Sequence, residues 1–100
     1  MTQNFFAIYA EDHPNSLEKR APLREAHLTR LRNLQQAQRL AIAGPLASQN
    51  GQVNGSLIIA RFENLHEAEN WFAEDPYIQA GIYSRVTIKP FQQVLPDHEE

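Results

Sequence analysis

The hydrophobic positions of this chain fall into short blocks separated by polar runs, and the periodicity within each block assigns an element. Phe5-Phe6-Ala7-Ile8-Tyr9-Ala10 is apolar at six successive positions. That is strand length, and the aromatic content favours a strand. Because it is apolar at both parities, both of its faces call for cover. Glu11 to Asn15 reads as a loop, in which Pro14 pushes His13 out of the helical region and Ser16 is placed to cap the next turn. Residues 17–39 hold the long first helix. Pro22 is tolerated in a first turn, so the main helix is expected to start near Ala21, after a short turn at 17–20. Leu23, Leu31 and Leu34 fall on one stripe of that helix with Leu28 on its flank, and His27 lies inside the stripe. Glu25, Thr29, Arg32, Asn33 and Gln36 fill the opposite, solvated side.

Leu40 to Ala43 is a second short strand, with Gly44-Pro45 punctuating its end and Ser48 to Gly55 as the connection. Ser56 to Phe62 is the clearest strand. Asn64 followed by Glu67 makes a capping box for a second helix that runs to about Glu74 and ends at Asp75-Pro76. Tyr83 to Phe91 alternates and reads as the last strand. Residues 1–95 form one domain, with a short tail over 96–100 that includes His98. The order β-α-β-β-α-β is ferredoxin-like: an α+β sandwich with a four-stranded antiparallel sheet and two helices on one face. The other face has no cover from the chain itself, yet the strands are apolar at both parities. A second copy of the same sheet is the expected cover, giving a homodimer.

Composition narrows the function. Twelve Asp and Glu against nine Lys and Arg leave a net charge of −3, which argues against a nucleic-acid partner bound by phosphate neutralisation. There is no cysteine, so disulfides, thiol catalysis and cysteine-ligated zinc are excluded. No apolar run approaches the roughly 20 residues of a membrane span, and Met1-Thr2-Gln3-Asn4 lacks the layout of a secretory signal. A cytoplasmic protein with no membrane or nucleic-acid partner is expected. Histidines at 13, 27, 66 and 98 lack metal-ligand spacing, and glycines at 44, 51, 55 and 81 fit neither phosphate-binding fingerprint. No metal and no cofactor are therefore expected.

The remaining chemistry gathers on the first helix. His13, His66 and His98 sit in a loop, a first helical turn and the tail, where solvation is the ordinary role. His27 differs, because its leucine stripe turns it toward the sheet. It is either a core histidine satisfied by a backbone carbonyl or by Asp75, or an acid–base group whose ring is oriented by Asp75. Asp75 in turn is either a helix terminator or that orienting carboxylate. Arg24 and Arg20, three and seven residues before His27, are the candidates for holding a carboxylate ligand. Arg32 and Arg39 fit a solvated face. Gly44-Pro45 is a turn, or a place where a ligand approaches the backbone. Tyr9, Ser56 and Tyr83 lie in or beside strands, where packing is the commoner role. Tyr9 and Ser56 are kept among the candidate ligand contacts.

Several phrases together resemble the YciI-like (YCII-domain) family. They are Ile8-Tyr9-Ala10-Glu11-Asp12, Ser16-Leu17-Glu18-Lys19-Arg20, Arg24-Glu25-Ala26-His27-Leu28, Ala43-Gly44-Pro45, Gly55-Ser56, Asp75-Pro76-Tyr77, Ala80-Gly81-Ile82-Tyr83 and Ile88-Lys89-Pro90-Phe91. Agreement is least over Leu46 to Asn54 and in the tail. The resemblance implies the dimeric α/β barrel superfamily, with similarity to muconolactone isomerases and related lactone or dehalogenase enzymes and a His–Asp pair in a cleft. Carried over, His27 and Asp75 match that pair and Asp12 matches a second acidic position. Arg24 falls where related sequences often carry Arg followed by Pro, whereas Glu25 follows here. The expected reading is an enzyme using His27 and Asp75 for general acid–base chemistry on a small organic acid or lactone. Arg24, Arg20, Asp12, Tyr9 and Ser56 would serve as its substrate contacts. The alternative is a dimeric protein that binds or carries a small ligand without turning it over.

Overall fold

A computed structural model describes residues 3–97. Positions 98–100 of the expected tail, His98 among them, lie outside the described residues. The elements follow in the order β1 (Phe5–Asp12), α1 (Leu17–Arg20), a 3-10 turn (Ala21–Leu23), α2 (Arg24–Gln36), β2 (Leu40–Ala47), β3 (Val53–Arg61), α3 (Leu65–Ala73), α4 (Pro76–Gln79) and β4 (Tyr83–Phe91). The strands form one sheet in the order β2-β3-β1-β4, antiparallel at every pairing. This is the α+β ferredoxin-like fold read from the sequence. Among the described residues no helix is long and apolar enough to cross a membrane.

Alternation along the strands decides the layers. Phe6, Ile8 and Ala10 of β1 face the helices with Ile58 and Ala60 of β3, and they pack against Leu31 and Leu34 of α2 and Ala68 and Phe72 of α3. The intervening positions face away. Tyr9 is 44% exposed and Ile42 59% exposed on that second face, so the described residues leave it uncovered there, although Phe5 at the start of β1 is buried. Pairing places Leu57 and Thr87 on either side of Tyr9 there.

The structure moves several boundaries. β1 runs on through Asp12, where a loop was expected. β2 continues through Gly44 and Pro45 to Ala47 instead of stopping at Ala43. As an edge strand it tolerates a residue without an N–H, because only one of its sides is paired. The hairpin connection is therefore shorter than Ser48 to Gly55. Ser48 N–H donates to the Gln52 carbonyl at 2.8 Å, Gly51 takes φ +87°, and β3 has already begun at Val53. Gly55 then sits inside a strand for a steric reason, since a Cβ there would lie 2.5 Å from the Ala10 carbonyl oxygen. The first helix ends at Gln36 rather than at residue 39. Gln38 turns left-handed at φ +60° and Arg39 N–H reaches back to the Leu34 carbonyl at 2.9 Å, a Schellman-type close. α4 was not anticipated. Asp75 caps it and Pro76 supplies its first residue.

Candidate active site

His27 and Asp75 come together because two helices pack side by side on the sheet. The leucine stripe of α2 is buried, and His27 goes in with it at 6% exposure. Asp75 ends the α3 segment, and its side chain accepts the Tyr77 N–H at 2.9 Å as the cap of α4. That cap orients the carboxylate toward α2. His27 Nδ1 lies 3.0 and 2.9 Å from the two Asp75 oxygens, and Asp75 has no exposure. The carboxylate accepts there, so Nδ1 carries the ring proton. The other ring nitrogen, Nε2, has no hydrogen-bond partner among the described residues, and His27 lines a cavity of about 410 Å³.

The cavity lies between α1–α2 and the β2–β3 edge of the sheet. Leu17, Leu28, Leu31, Pro45 and Val53 supply apolar walls, and Arg20, Arg24, His27, Ser56 and Tyr77 supply polar ones. Two of these residues behave oppositely. Arg20 is buried and donates from Nε and Nη2 to Asp12 at 2.7 and 2.9 Å, and from Nη2 to the Gly55 carbonyl and Ser56 Oγ at 3.0 Å each. Burial works against its charge, but the Asp12 hydrogen bond and charge outweigh burial and hold the guanidinium above its ordinary value. Arg20 therefore arrives at the cavity already neutralised. Arg24, one helical turn before His27, is exposed on the same wall and makes no ion pair among the described residues.

Of the expected ligand contacts, the structure brings Arg20, Arg24 and Ser56 to the cavity with His27. Asp12 lies behind Arg20, also accepting from Ser16 Oγ at 2.6 Å, and is not among the residues lining the cavity. Tyr9 is not brought together with the others. Odd-numbered positions of β1 point to the uncovered face, on the far side of the sheet.

Three residues that the sequence reading left out of the site belong to its surroundings. The Tyr77 ring stacks on the His27 ring at 4.1 Å and 20°, and the Arg20 guanidinium lies 4.7 Å from the centre of the same ring. Arg30 reaches Asp75 with Nη1 at 3.3 Å. Tyr83 OH shares a hydrogen bond with Ser56 Oγ at 2.8 Å. Burial pushes both tyrosines above their ordinary ionisation range, so they remain hydrogen-bond donors. Two signals pointed this way: an Asp-Pro pair presents the N–H two residues on to the Asp side chain, and Arg30 follows His27 at helical spacing.

The chain is similar to several known proteins. Residues 4–92 match the YCII-related domain. A protein of Haemophilus influenzae described as uncharacterised is 46% identical over 97 residues, covering 91% of this chain and 99% of that protein. Protein YciI of Escherichia coli is 43% identical over 96 residues, covering 90% and 98%. Among solved structures, the 5-chloro-2-hydroxyhydroquinone dehydrochlorinase TftG of Burkholderia phenoliruptrix, in complex with 2,5-dihydroxybenzoquinone, superposes with a TM-score of 0.80. It is 25% identical and covers 90% of this chain and 95% of that one.

Proposed function

The chain belongs to the family of YCII-related domains, and on that premise we propose that it is a small-molecule enzyme in which His27 moves a proton and Asp75 orients it. The observation that carries the reading is the His27 ring, held at Nδ1 by a fully buried carboxylate while lining an open cavity. Nε2 takes a proton from an acidic C–H or O–H of the bound molecule; in a lactone isomerisation it returns that proton at a neighbouring position, and in an elimination the leaving group departs with its bonding electrons as an anion while the proton passes from the imidazolium to water. Asp75 fixes the tautomer and stabilises the imidazolium formed during the step. Arg24 anchors an anionic group, because its charge is the uncommitted one on the cavity wall. Tyr77 and Ser56 line the same space. The substrate class is a small organic acid, lactone or hydroxylated ring. The structural similarity to a dehydrochlorinase bound to a hydroxyquinone supports that class.

The reading includes a second copy of the chain. The uncovered face carries Tyr9, Ile42 and Leu57 at the sheet surface, and an apolar sheet face of this kind is stable when two such sheets pack together.

The test uses a panel of small carboxylic acids, lactones and hydroxyquinones, with product read by mass spectrometry and solvent deuterium incorporation read by NMR. Turnover or exchange is expected in the native protein. His27→Ala and Asp75→Asn should each reduce it by about 10²–10⁴, with the dimer still folded. Undiminished activity in both variants ends the proposal. Thermal stabilisation by a panel member, with neither product nor exchange, gives the ligand-binding alternative instead.

A further inference from the structure

Asp75 is shared. Besides the Tyr77 N–H and His27 Nδ1, it is approached by Arg30 Nη1 at 3.3 Å. Arg30 is held there from two other directions. Its Nη2 donates to the Trp71 carbonyl at 2.6 Å, and its guanidinium lies 4.2 Å from the centre of the Trp71 ring. With its side chain only 20% exposed, it is a fixed charge rather than a waving surface arginine. We propose that Arg30 is the resident counter-charge of Asp75, so that His27 enters the reaction as a neutral ring and acts as the base. The inference deepens the reading of His27 and Asp75 given above and rests on it.

Charge balance in a dry place requires this counter-charge. An ionised carboxylate without exposure needs a positive partner. If His27 were the sole partner, carboxylate and imidazolium would be the favoured pair, Nε2 would hold a proton, and the ring could not begin by accepting one. Arg30 removes that demand. Asp75 and Arg30 already sum to zero, so a proton on His27 leaves a net positive charge among groups that add more. Arg24 shares its helix, and Arg20 of α1 has its charge met by Asp12 of β1. Tyr77 of α4 and Tyr83 of β4 are kept un-ionised by burial and contribute no negative charge. With the ring neutral, Nδ1–H donates to Asp75 and the Nε2 lone pair is left for the cavity. Arg30 touches the imidazole only through the shared carboxylate, so it is a positioning residue.

The experiment follows ring nitrogen resonances of the 15N-labelled protein across pH, with no ligand added and His27 identified by difference from His27→Gln. In Arg30→Met the carboxylate has lost its second cation, so the ring should take up its proton at a pH higher by about one unit or more. Arg30→Gln, which keeps a donor for the Trp71 carbonyl, should move it the same way. Arg30→Lys keeps the charge and should stay within about half a unit of the native protein. A titration in Met and Gln variants that overlays the native one overturns the proposal, as does a Lys variant that shifts as far as they do. Because the measurement needs no turnover, it stands apart from the activity of His27→Ala, and either idea can fail without the other.

Discussion

At the scale of single residues, the site is organised by which charges are already matched. Arg20 and Asp12 are closed on each other, Arg30 and His27 meet on Asp75, and among the described residues Arg24 alone brings an unmatched charge to the cavity wall. The family's phrases implied the His27–Asp75 pairing, whereas the Arg20–Asp12 and Arg30–Asp75 pairings show in no stripe or motif, because each joins residues from different elements. The inward turn of His27 is different: it follows from the leucines around it, since a helix that buries Leu31 and Leu34 buries the position between Leu23 and Leu31 as well. Tyr83 gives a residue-scale prediction. Burial raises its ionisation above the ordinary value near 10, so the folded chain holds the phenol proton more tightly than the unfolded chain does. The associated stability is complete below about pH 10 and is lost as pH rises from there toward the folded value. Tyr83→Phe has no such proton. Its urea midpoint should therefore fall less steeply than that of the native protein above about pH 10, and parallel slopes would refute the assignment.

At the scale of elements, the periodic segments were the legible ones. Ser56 to Phe62, the stripe of the first helix and the capping box at Asn64 each mark an element whose local preference and tertiary role agree, and Asn64 does accept the Glu67 N–H at 2.9 Å. The boundaries displaced at β2 and β3 share one cause: Gly and Pro read as punctuation in the sequence but lie within strands in the fold. Pro45 stands within β2 because β2 is an edge. Gly55 stands within β3 because the chain crosses so close to Ala10 that no side chain fits. Neither fact exists until the strands are paired. Gly55→Ala should therefore destabilise the protein by about 1–3 kcal/mol, through displacement of backbone rather than of a flexible side chain. Chemical denaturation measures it, and a midpoint equal to the native one would show that β1 and β3 can part without penalty.

At the scale of the whole molecule, the sheet has two faces with different fates. One carries the helices, the core and the cavity. The other presents Tyr9, Ile42 and Leu57 to its surroundings. If that face is the interface between copies, Leu57→Lys should convert a dimer into a folded monomer, since Leu57 is only half-buried in the single chain. Light scattering with circular dichroism reads both properties, and a dimer that persists in the variant would place the interface elsewhere. The order of the four strands and two main helices, the ferredoxin-like architecture and the burial of His27 were determined by the sequence alone, because hydrophobic periodicity acts locally and repeats along each segment. Only the tertiary structure decided that Asp75 is divided between His27 and Arg30, that Arg20 is neutralised by Asp12, and that Tyr9 stands away from the cavity. Those outcomes depend on packing angle and strand register, which bring together groups far apart along the chain, and no local pattern encodes the distance between them.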